Sequence, residues 1–195
     1  MKLIITTCDQ YMHLVSVCCH RINKFWPGQD IHVLCFETMP NLPKNVTQHS
    51  LGKQEDFGNL WTDPLIPWFD KFEDEYFILM LDDYHITAKP DPMMDELSWT
   101  DTLDKFDLSN DRANFPHISI TPWLIESEQT ARYRTSLQAA IWKTSYFRKF
   151  LVPGRTIWEF ELLGEEEAMN DGGLIMGTRE GLLKYKNVML AGRKR

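Results

Sequence analysis

The spacing of hydrophobic positions changes twice within the first 36 residues. Lys2 to Cys8 is apolar and threonine-rich without alternation, which is typical of a strand buried on both faces. The following apolar positions recur at helical spacing until Pro27-Gly28, namely Leu14, Cys18, Ile22 and Phe25 or Trp26. Ile31 to Phe36 predicts a second buried strand. The chain therefore opens strand–helix–strand, the order that produces a parallel sheet with a right-handed crossover.

The middle of the chain alternates between loops, helices and one further buried strand. Residues 41–57 are predicted to be a loop, and a helix is predicted to begin at Trp61-Thr62-Asp63, with a proline in its first turn. Tyr76 to Leu81 is continuously apolar and predicts a strand that stops at Asp82-Asp83. A second proline-punctuated stretch predicts an amphipathic helix through Met94, Leu97 and Leu103.

The last third favours a more irregular, antiparallel arrangement. Tyr133 to Trp142 is predicted to be a strand and Ser145 to Leu151 a short helix. Gly172-Gly173 is interpreted as a tight turn, because it is too short for a phosphate loop. Charged groups assigned to the surface are Glu165 to Glu167, Arg132 and Arg134. We predict one α/β domain with a mainly parallel sheet and helices on both faces.

Composition narrows the functional classes. The net charge of −7 disfavours general nucleic-acid binding, which requires a basic footprint. The four cysteines lie in the first third without metal-type spacing, which favours reduced thiols and a cytoplasmic location. No secretory signal is evident, and the longest apolar run is too short to span a membrane. A local basic tail contains Lys184, Lys186, Arg193, Lys194 and Arg195.

Asp82 and Asp83 form the sharpest candidate for chemistry. They directly follow a buried strand. Open α/β sheets bind ligands at the carboxyl ends of their strands. Keeping two adjacent carboxylates ionised there costs free energy unless a cation binds beside them. Mg²⁺ and Mn²⁺ prefer oxygen ligands and share them with substrate phosphates. A solvated acidic turn or a helix cap is the alternative.

Three further motifs give the pair a context: Trp61-Thr62-Asp63, the run Ser136-Leu137-Gln138-Ala139-Ala140-Ile141-Trp142, and Trp158-Glu159-Phe160-Glu161. With an opening strand–helix–strand unit and Asp-Asp-Tyr, they resemble small bacterial and phage glycosyltransferases of the GT-A fold. The resemblance covers residues 2 to about 190, although Tyr84 stands where a strict Asp-x-Asp motif has its second aspartate. It implies one glycosyltransferase domain over 1–195, with a nucleotide-binding half at 1–85 and an acceptor-side half and tail at 110–195.

The resemblance also implies an activity and a site. A sugar passes from a nucleoside diphosphate sugar, UDP-linked, to a carbohydrate or other hydroxyl acceptor with Mn²⁺ or Mg²⁺. Asp83 is the expected metal ligand, with Asp82 directed to the ribose or a metal-bound water, or the two sharing the metal. Expected nucleotide-sugar contacts are Thr6, Thr7, Cys8, Asp9, Asp63, Asp82, Arg193 and Lys194. Asp9 is equally a candidate helix cap, and the basic tail equally a solvated terminus.

Glu161 is the expected general base, with Glu159 as a second catalytic candidate. An inverting transfer needs a carboxylate to accept the proton of the acceptor hydroxyl. The two glutamates would share a face in an extended segment but not in the first turn of a helix. Solvent-facing carboxylates are the alternative. A sugar nucleotidyltransferase is disfavoured because Thr6 to Gln10 lacks a glycine-rich, basic loop, whereas a sugar-nucleotide-binding protein without transfer activity stays open.

Overall fold

The computed structural model describes residues 1–96, 102–190 and 193–194. Thirteen strands lie within these residues: β1 Lys2–Thr6, β2 Ile31–Cys35, β3 Val46–Ser50, β4 Tyr76–Leu81, β5 Tyr84–Ile86, β6 Lys105–Asp107, β7 His117–Ser119, β8 Leu124–Ser127, β9 Ala140–Lys143, β10 Ile175–Thr178, β11 Tyr185–Asn187, β12 Met189–Leu190 and β13 Arg193–Lys194. The α-helices in the same residues are α1 Met12–Phe25, α2 Thr62–Phe69, α3 Met93–Glu96, α4 Thr144–Phe150 and α5 Ile157–Ala168.

A mixed sheet organises this part of the chain in the order β3-β2-β1-β4-β9-β6-β10-β8-β7. β1 pairs in parallel with β2 and β4, and β2 with β3, so the opening strand–helix–strand prediction is confirmed. β9 inserts antiparallel between β4 and β6. In this sheet β8 and β9 are antiparallel to the other seven strands. The predicted mainly parallel sheet is therefore confirmed.

Both faces of the sheet are buried. Successive side chains of a strand point to opposite sides, so neighbouring residues contribute to different faces. Leu3 and Ile5 pack with α1 on one face. Ile4 packs on the other face with residues from α2, α4 and α5, including Phe69, Phe147 and Phe160. The predicted helices on both faces are therefore confirmed. Within the described residues, no helix has the length and hydropathy needed to span a bilayer.

Three element predictions were wrong. Val46–Ser50 forms strand β3 within the predicted loop, because its half-polar sequence pairs along β2 as an edge strand. The strand predicted over Tyr133–Trp142 begins only at Ala140, since Tyr133 adopts a positive φ of 55° that breaks extended structure. The predicted amphipathic helix does not reach Leu103: α3 is described over Met93–Glu96, Leu97 lies outside the described residues, and Leu103 is buried in non-helical chain.

Two charged residues assigned to the surface are buried. Arg134 is fully buried. Its guanidinium donates to the carbonyl oxygens of Glu128, Ala168 and Gly173, and these hydrogen bonds stabilise it in the interior. Glu165 is also buried and accepts from Arg132 Nε and from the Tyr133 amide. The predictions of a surface Arg134 and of a wholly solvated acidic run were therefore wrong, whereas the Arg132 side chain is 64% exposed, as predicted.

Candidate functional site

The ends of β1 and β4 bring the predicted nucleotide and metal residues to one edge of the sheet. The register pairs Thr6 with Leu81, so Thr7 and Asp82 leave the two strands side by side. The Thr7 hydroxyl donates to Asp82 Oδ2 at 2.5 Å. The first strand and the Asp-Asp pair, 75 residues apart in sequence, are thus joined directly.

Asp83 is held from the opposite side by the last part of the chain. β5, which follows it, pairs antiparallel with β11, and the Val188 amide donates to the Asp83 carbonyl at 3.0 Å. A hydrogen bond from the Met189 amide lowers the pKa of the Asp83 carboxyl, although burial is the larger effect and the net pKa is raised. The backbone after β11 therefore passes beside the candidate metal ligand.

The electrostatics of the pair suit a bound cation. Burial raises the pKa of Asp82 to about 7, against the lowering effect of the Thr7 hydrogen bond, and the charge of Asp83 raises it further. Among the side chains that the structure describes, which do not include those of Arg193 and Lys194, neither carboxylate forms an ion pair with lysine or arginine. The uncompensated pair is where a cation would be stabilised.

The donor set also fits the expected ion. No group of three or more histidine, cysteine or acidic side chains suited to a metal occurs among the residues that the structure describes. Mg²⁺ keeps several waters and is held by one or two carboxylates together with substrate phosphates. Asp82 and Asp83 therefore suit Mg²⁺ or Mn²⁺ shared with a phosphate-bearing ligand, rather than a closed protein cage.

The residues around Thr7 differ in how they are placed. Thr6 is buried, and its hydroxyl makes no hydrogen bond within the described part of the chain. Cys8 is half-buried, and burial raises the pKa of its thiol. Asp9 is exposed and its amide donates to Gln54 Oε1 at 2.7 Å. Since α1 begins only at Met12, Asp9 does not cap it, and that interpretation was wrong.

Asp63 contacts the turn that precedes α5. Its Oδ2 accepts from the Gly154 amide at 2.6 Å, where Gly154 has a positive φ of 84°. The neighbouring Thr62 hydroxyl donates to the Val152 carbonyl at 2.7 Å. These bonds fasten the start of α2 to the α4–α5 turn, and a contact between Asp63 and a nucleotide stays a prediction.

The two catalytic candidates lie in the first turns of α5 and have different surroundings. Glu161 is half-buried and accepts from the Leu137 amide at 2.7 Å. Burial raises the pKa of Glu161, against lowering by that amide and by the charge of Lys105. Glu159 is exposed and forms a capping box with Thr156. The segment is therefore helical, so the two carboxylates do not share a face as they would in a strand.

A stacked tyrosine pair lies between the Asp83 and Glu161 regions. The rings of Tyr84 and Tyr185 stack at 4.9 Å, and the Tyr185 hydroxyl donates to Gln138 Oε1 at 2.6 Å. Burial raises the pKa of Tyr84, and the charges of both Asp83 and Glu161 add to the effect. Sequence reasoning missed Tyr185, because a single aromatic residue between lysines in the predicted basic tail gives no sign of a functional role.

A buried ionic cluster supports the loop that holds Glu161. Lys105 Nζ lies 2.7 Å from Asp107 Oδ1 and donates to the Ser136 carbonyl at 2.8 Å, next to Leu137. Arg112 Nε donates to Asp107 Oδ2 at 2.9 Å. Sequence reasoning missed this cluster, because isolated charges carry no local signal of burial.

Comparison with known proteins gives the fold but no family. The chain matches no protein-family model and no curated protein. Its fold is similar to Staphylococcus aureus TarS 1–349, with a TM-score of 0.55, 13% identity, and coverage of 95% of this chain and 60% of that one. It is also similar to the galactosyltransferase LgtC solved with donor and acceptor sugar analogs, with a TM-score of 0.50, 11% identity, and coverage of 87% and 66%.

A third match has a different activity in its name. A cytidylyltransferase from Leptospira borgpetersenii aligns with a TM-score of 0.50 and 12% identity, over 87% of this chain and 71% of that one. The chain spans 66% or less of the length of LgtC and TarS. Together these likenesses show a GT-A-like, Rossmann-like α/β fold.

Proposed function

We propose that this chain transfers a sugar from a nucleoside diphosphate sugar, UDP-linked, to a hydroxyl acceptor with inversion of configuration. The observation that supports the proposal most strongly is the pair of buried, uncompensated carboxylates Asp82 and Asp83 at the end of β4 in a GT-A-like fold. A diphosphate and a divalent cation would together supply the charges that this edge of the sheet lacks.

The donor end of the site is assigned to the ends of β1 and β4. Asp83 would hold Mn²⁺ or Mg²⁺, and Asp82, oriented by Thr7, would face the ribose or a water on the metal. Thr6 and Cys8 line the same strand end, where short side chains and backbone groups suit a uracil and its ribose. When bound, the metal ion neutralises the charge that develops on the departing diphosphate.

The acceptor end is assigned to Glu161. Its carboxylate would take the proton of the acceptor hydroxyl as that oxygen attacks the anomeric carbon. The Leu137 amide orients one carboxylate oxygen, and burial raises the pKa of Glu161 toward the working pH, which improves a general base. Acceptor contacts would come from the half of the chain at 110–195.

The basic tail is proposed to contact the diphosphate. β12 pairs with β13 so that Leu190 stands opposite Arg193 and Met189 opposite Lys194. Val188, immediately before β12, bonds to Asp83. On this hairpin, which starts beside Asp83, Arg193 and Lys194 would bring cations to the phosphates.

A sugar nucleotidyltransferase is the second candidate, supported by the similarity to the Leptospira cytidylyltransferase. In that reaction the same carboxylates would serve a nucleoside triphosphate, and pyrophosphate rather than UDP would be released. Against it, Thr6 to Gln10 contains neither glycine nor lysine nor arginine to cradle a triphosphate.

Calorimetry and product analysis separate the candidates. UDP should bind in Mn²⁺ and lose most of its affinity in EDTA, and at a hundred times its Kd it should stabilise the fold by about 2.7 kcal/mol. UDP release from one member of a UDP-sugar panel supports the transferase. Pyrophosphate release from CTP and a sugar phosphate supports the nucleotidyltransferase, and Mn²⁺-dependent binding without turnover of any donor supports a binding protein.

A further inference from the structure

A cavity of about 440 Å³ lies on the α2 face of the sheet, beside the edge strand β3. This volume is within the range of roughly 300–1,000 Å³ that small-molecule sites occupy. Residues from β1, β2, β3 and α2 line it, and Asp82, Asp83 and Glu161 do not. The cavity is therefore distinct from the site proposed for sugar transfer.

One wall of the cavity is basic. His32 and His49 stack at 5.0 Å, with His32 Nδ1 2.8 Å from His49 Nε2, so the two rings share one hydrogen bond. Asp30 Oδ1 lies 3.2 Å from the other nitrogen of His32. Lys2 shares this wall and pairs with Asp74 at 2.8 Å. Burial lowers the pKa of His49, and the charges of His32 and Lys2 lower it further.

The adjoining wall is aromatic. The Trp68 ring stacks on Phe72 at 5.0 Å and meets His49 edge-on at 5.3 Å. Phe57 and the prolines of α2 complete this apolar surface. Flat rings in fixed positions favour a flat ligand, because offset stacking needs a planar partner.

The charge balance of the lining selects an anion. Lys71 lies exposed among the lining residues, and no aspartate or glutamate is among the residues known to line the cavity. Two carboxylates beside the lining, Asp30 and Asp74, lie 3.2 Å from His32 and 2.8 Å from Lys2. A ligand with one negative group would therefore meet lysine and histidine nitrogens without a repelling carboxylate in the lining.

We propose that this cavity binds a planar aromatic carboxylate, with its ring against Trp68 and its carboxylate toward Lys71 and His49. Such a ligand uses both walls at once, whereas a neutral aromatic uses only one and an aliphatic carboxylate only the other. The site gives the chain a second small-molecule specificity beyond that of the donor and the acceptor.

Calorimetric titration with 2-naphthoate tests the site. One saturable site per chain is expected, with about tenfold weaker binding of the neutral 2-naphthalenemethanol, because charge-assisted hydrogen bonds are lost. Cyclohexanecarboxylate should likewise bind more weakly, because it cannot stack. Equal affinity for the acid and the alcohol, or no saturable binding of 2-naphthoate, overturns the proposal.

Matched variants locate the site. Lys71→Gln should weaken 2-naphthoate binding about three- to fivefold, and Lys44→Gln, at an exposed position outside the cavity lining, should leave it unchanged. In NMR spectra of wild type, the His49 ring protons should shift on titration. Asp83→Asn should leave the binding intact, so the failure of sugar transfer would not affect this result. An equal loss in both lysine variants, or silent His49 resonances, contradicts the assignment.

Discussion

Two buried acidic sites in this sheet handle their charge in opposite ways. Asp107, at the end of β6, lies between the Lys105 ammonium at 2.7 Å and the Arg112 guanidinium at 2.9 Å. Asp82, at the end of β4, accepts a hydrogen bond from Thr7 and has another carboxylate, Asp83, as its neighbour. Both aspartates are less than 10% exposed, so bulk water screens their charges poorly.

The pKa directions express that difference. Burial raises the pKa of Asp107, but the charges of Lys105 and Arg112 outweigh it and the net pKa is lowered. Burial raises the pKa of Asp82 to about 7, and the charge of Asp83 adds to it. A compensated buried carboxylate is part of the framework, whereas an uncompensated one is a candidate functional site. Experiments can challenge this distinction at each charged group.

Glu161 extends the comparison to a half-buried carboxylate and has the largest expected effect. Glu161→Gln keeps the shape of the side chain but removes the proton acceptor. The rate of sugar transfer should fall by ~10²–10⁴, with UDP and Mn²⁺ affinity nearly intact. Steady-state rates and calorimetry measure the two quantities, and NMR of the wild-type product should show the inverted anomer.

Glu159→Gln is the matched control for Glu161. Glu159 is exposed and caps α5, so its loss should lower thermal stability slightly and affect transfer less. An undiminished rate in Glu161→Gln, or a retained anomeric configuration, would remove Glu161 from the role of base.

Arg112→Met breaks the compensated site. The variant leaves Asp107 with one cation and also removes donors to the Arg132 and Tyr133 carbonyls. The free energy of unfolding in urea should fall by about 3–5 kcal/mol. Arg132→Met removes an arginine whose side chain is 64% exposed, and should cost about 1 kcal/mol or less. Similar losses in the two variants would show that burial does not distinguish them.

Asp83→Ala removes half of the uncompensated site. Because Asp83 ends a strand and does not fill the core, far-UV circular dichroism should stay unchanged. Mn²⁺-dependent UDP-sugar turnover should fall by ~10²–10³. Glu73→Ala, at an exposed position before β4, controls for loss of an acidic charge. Normal activity of Asp83→Ala in Mn²⁺ would exclude Asp83 as the metal ligand.

Asp82 should make stability depend on pH in the absence of metal. Its pKa rises from an ordinary 3.8 to about 7 in the folded chain, so the native state holds the proton more tightly than the unfolded state. Its stabilising contribution is present below about pH 4 and is lost as the pH rises through about 7, on the order of a few kcal/mol.

Asp82→Asn should remove that dependence and be more stable than wild type at pH 8 in EDTA. Urea unfolding at several pH values measures the difference between the two proteins. If the two stability curves run parallel from pH 4 to pH 8, the Asp82 carboxyl is not perturbed by burial.

The tail should give the smallest effect. The double variant Arg193→Gln/Lys194→Gln should weaken UDP binding about fivefold and reduce its salt dependence, since charge interactions that salt screens contribute little. Lys24→Gln, on the exposed surface of α1, is the control. An unchanged affinity and salt dependence would identify the tail as a solvated terminus.

Local patterns predicted the elements whose burial repeats at short range. The run that became β4 is apolar without interruption, those that became β1 and β2 are mostly apolar, and α1 repeats its apolar side chains every three or four residues. Asp82 and Asp83 follow from the same pattern, because they stand where an apolar run stops. Glu161 was predicted as a catalytic candidate from the Trp158-Glu159-Phe160-Glu161 motif, and this segment is helical in the structure.

Long-range contacts decided the rest. The sequence by itself determined that a strand–helix–strand unit leads to a strand with two carboxylates at its end. Only the tertiary structure decided that Lys105 reaches the carbonyl of Ser136, 31 residues away, and that Tyr185 bonds to Gln138, 47 residues away. Among the described side chains, it also decided that Asp107 is compensated by cations and Asp82 is not. The sequence around an aspartate does not distinguish a compensated carboxylate from an uncompensated one, because the balancing charges come from groups that folding brings from distant parts of the chain.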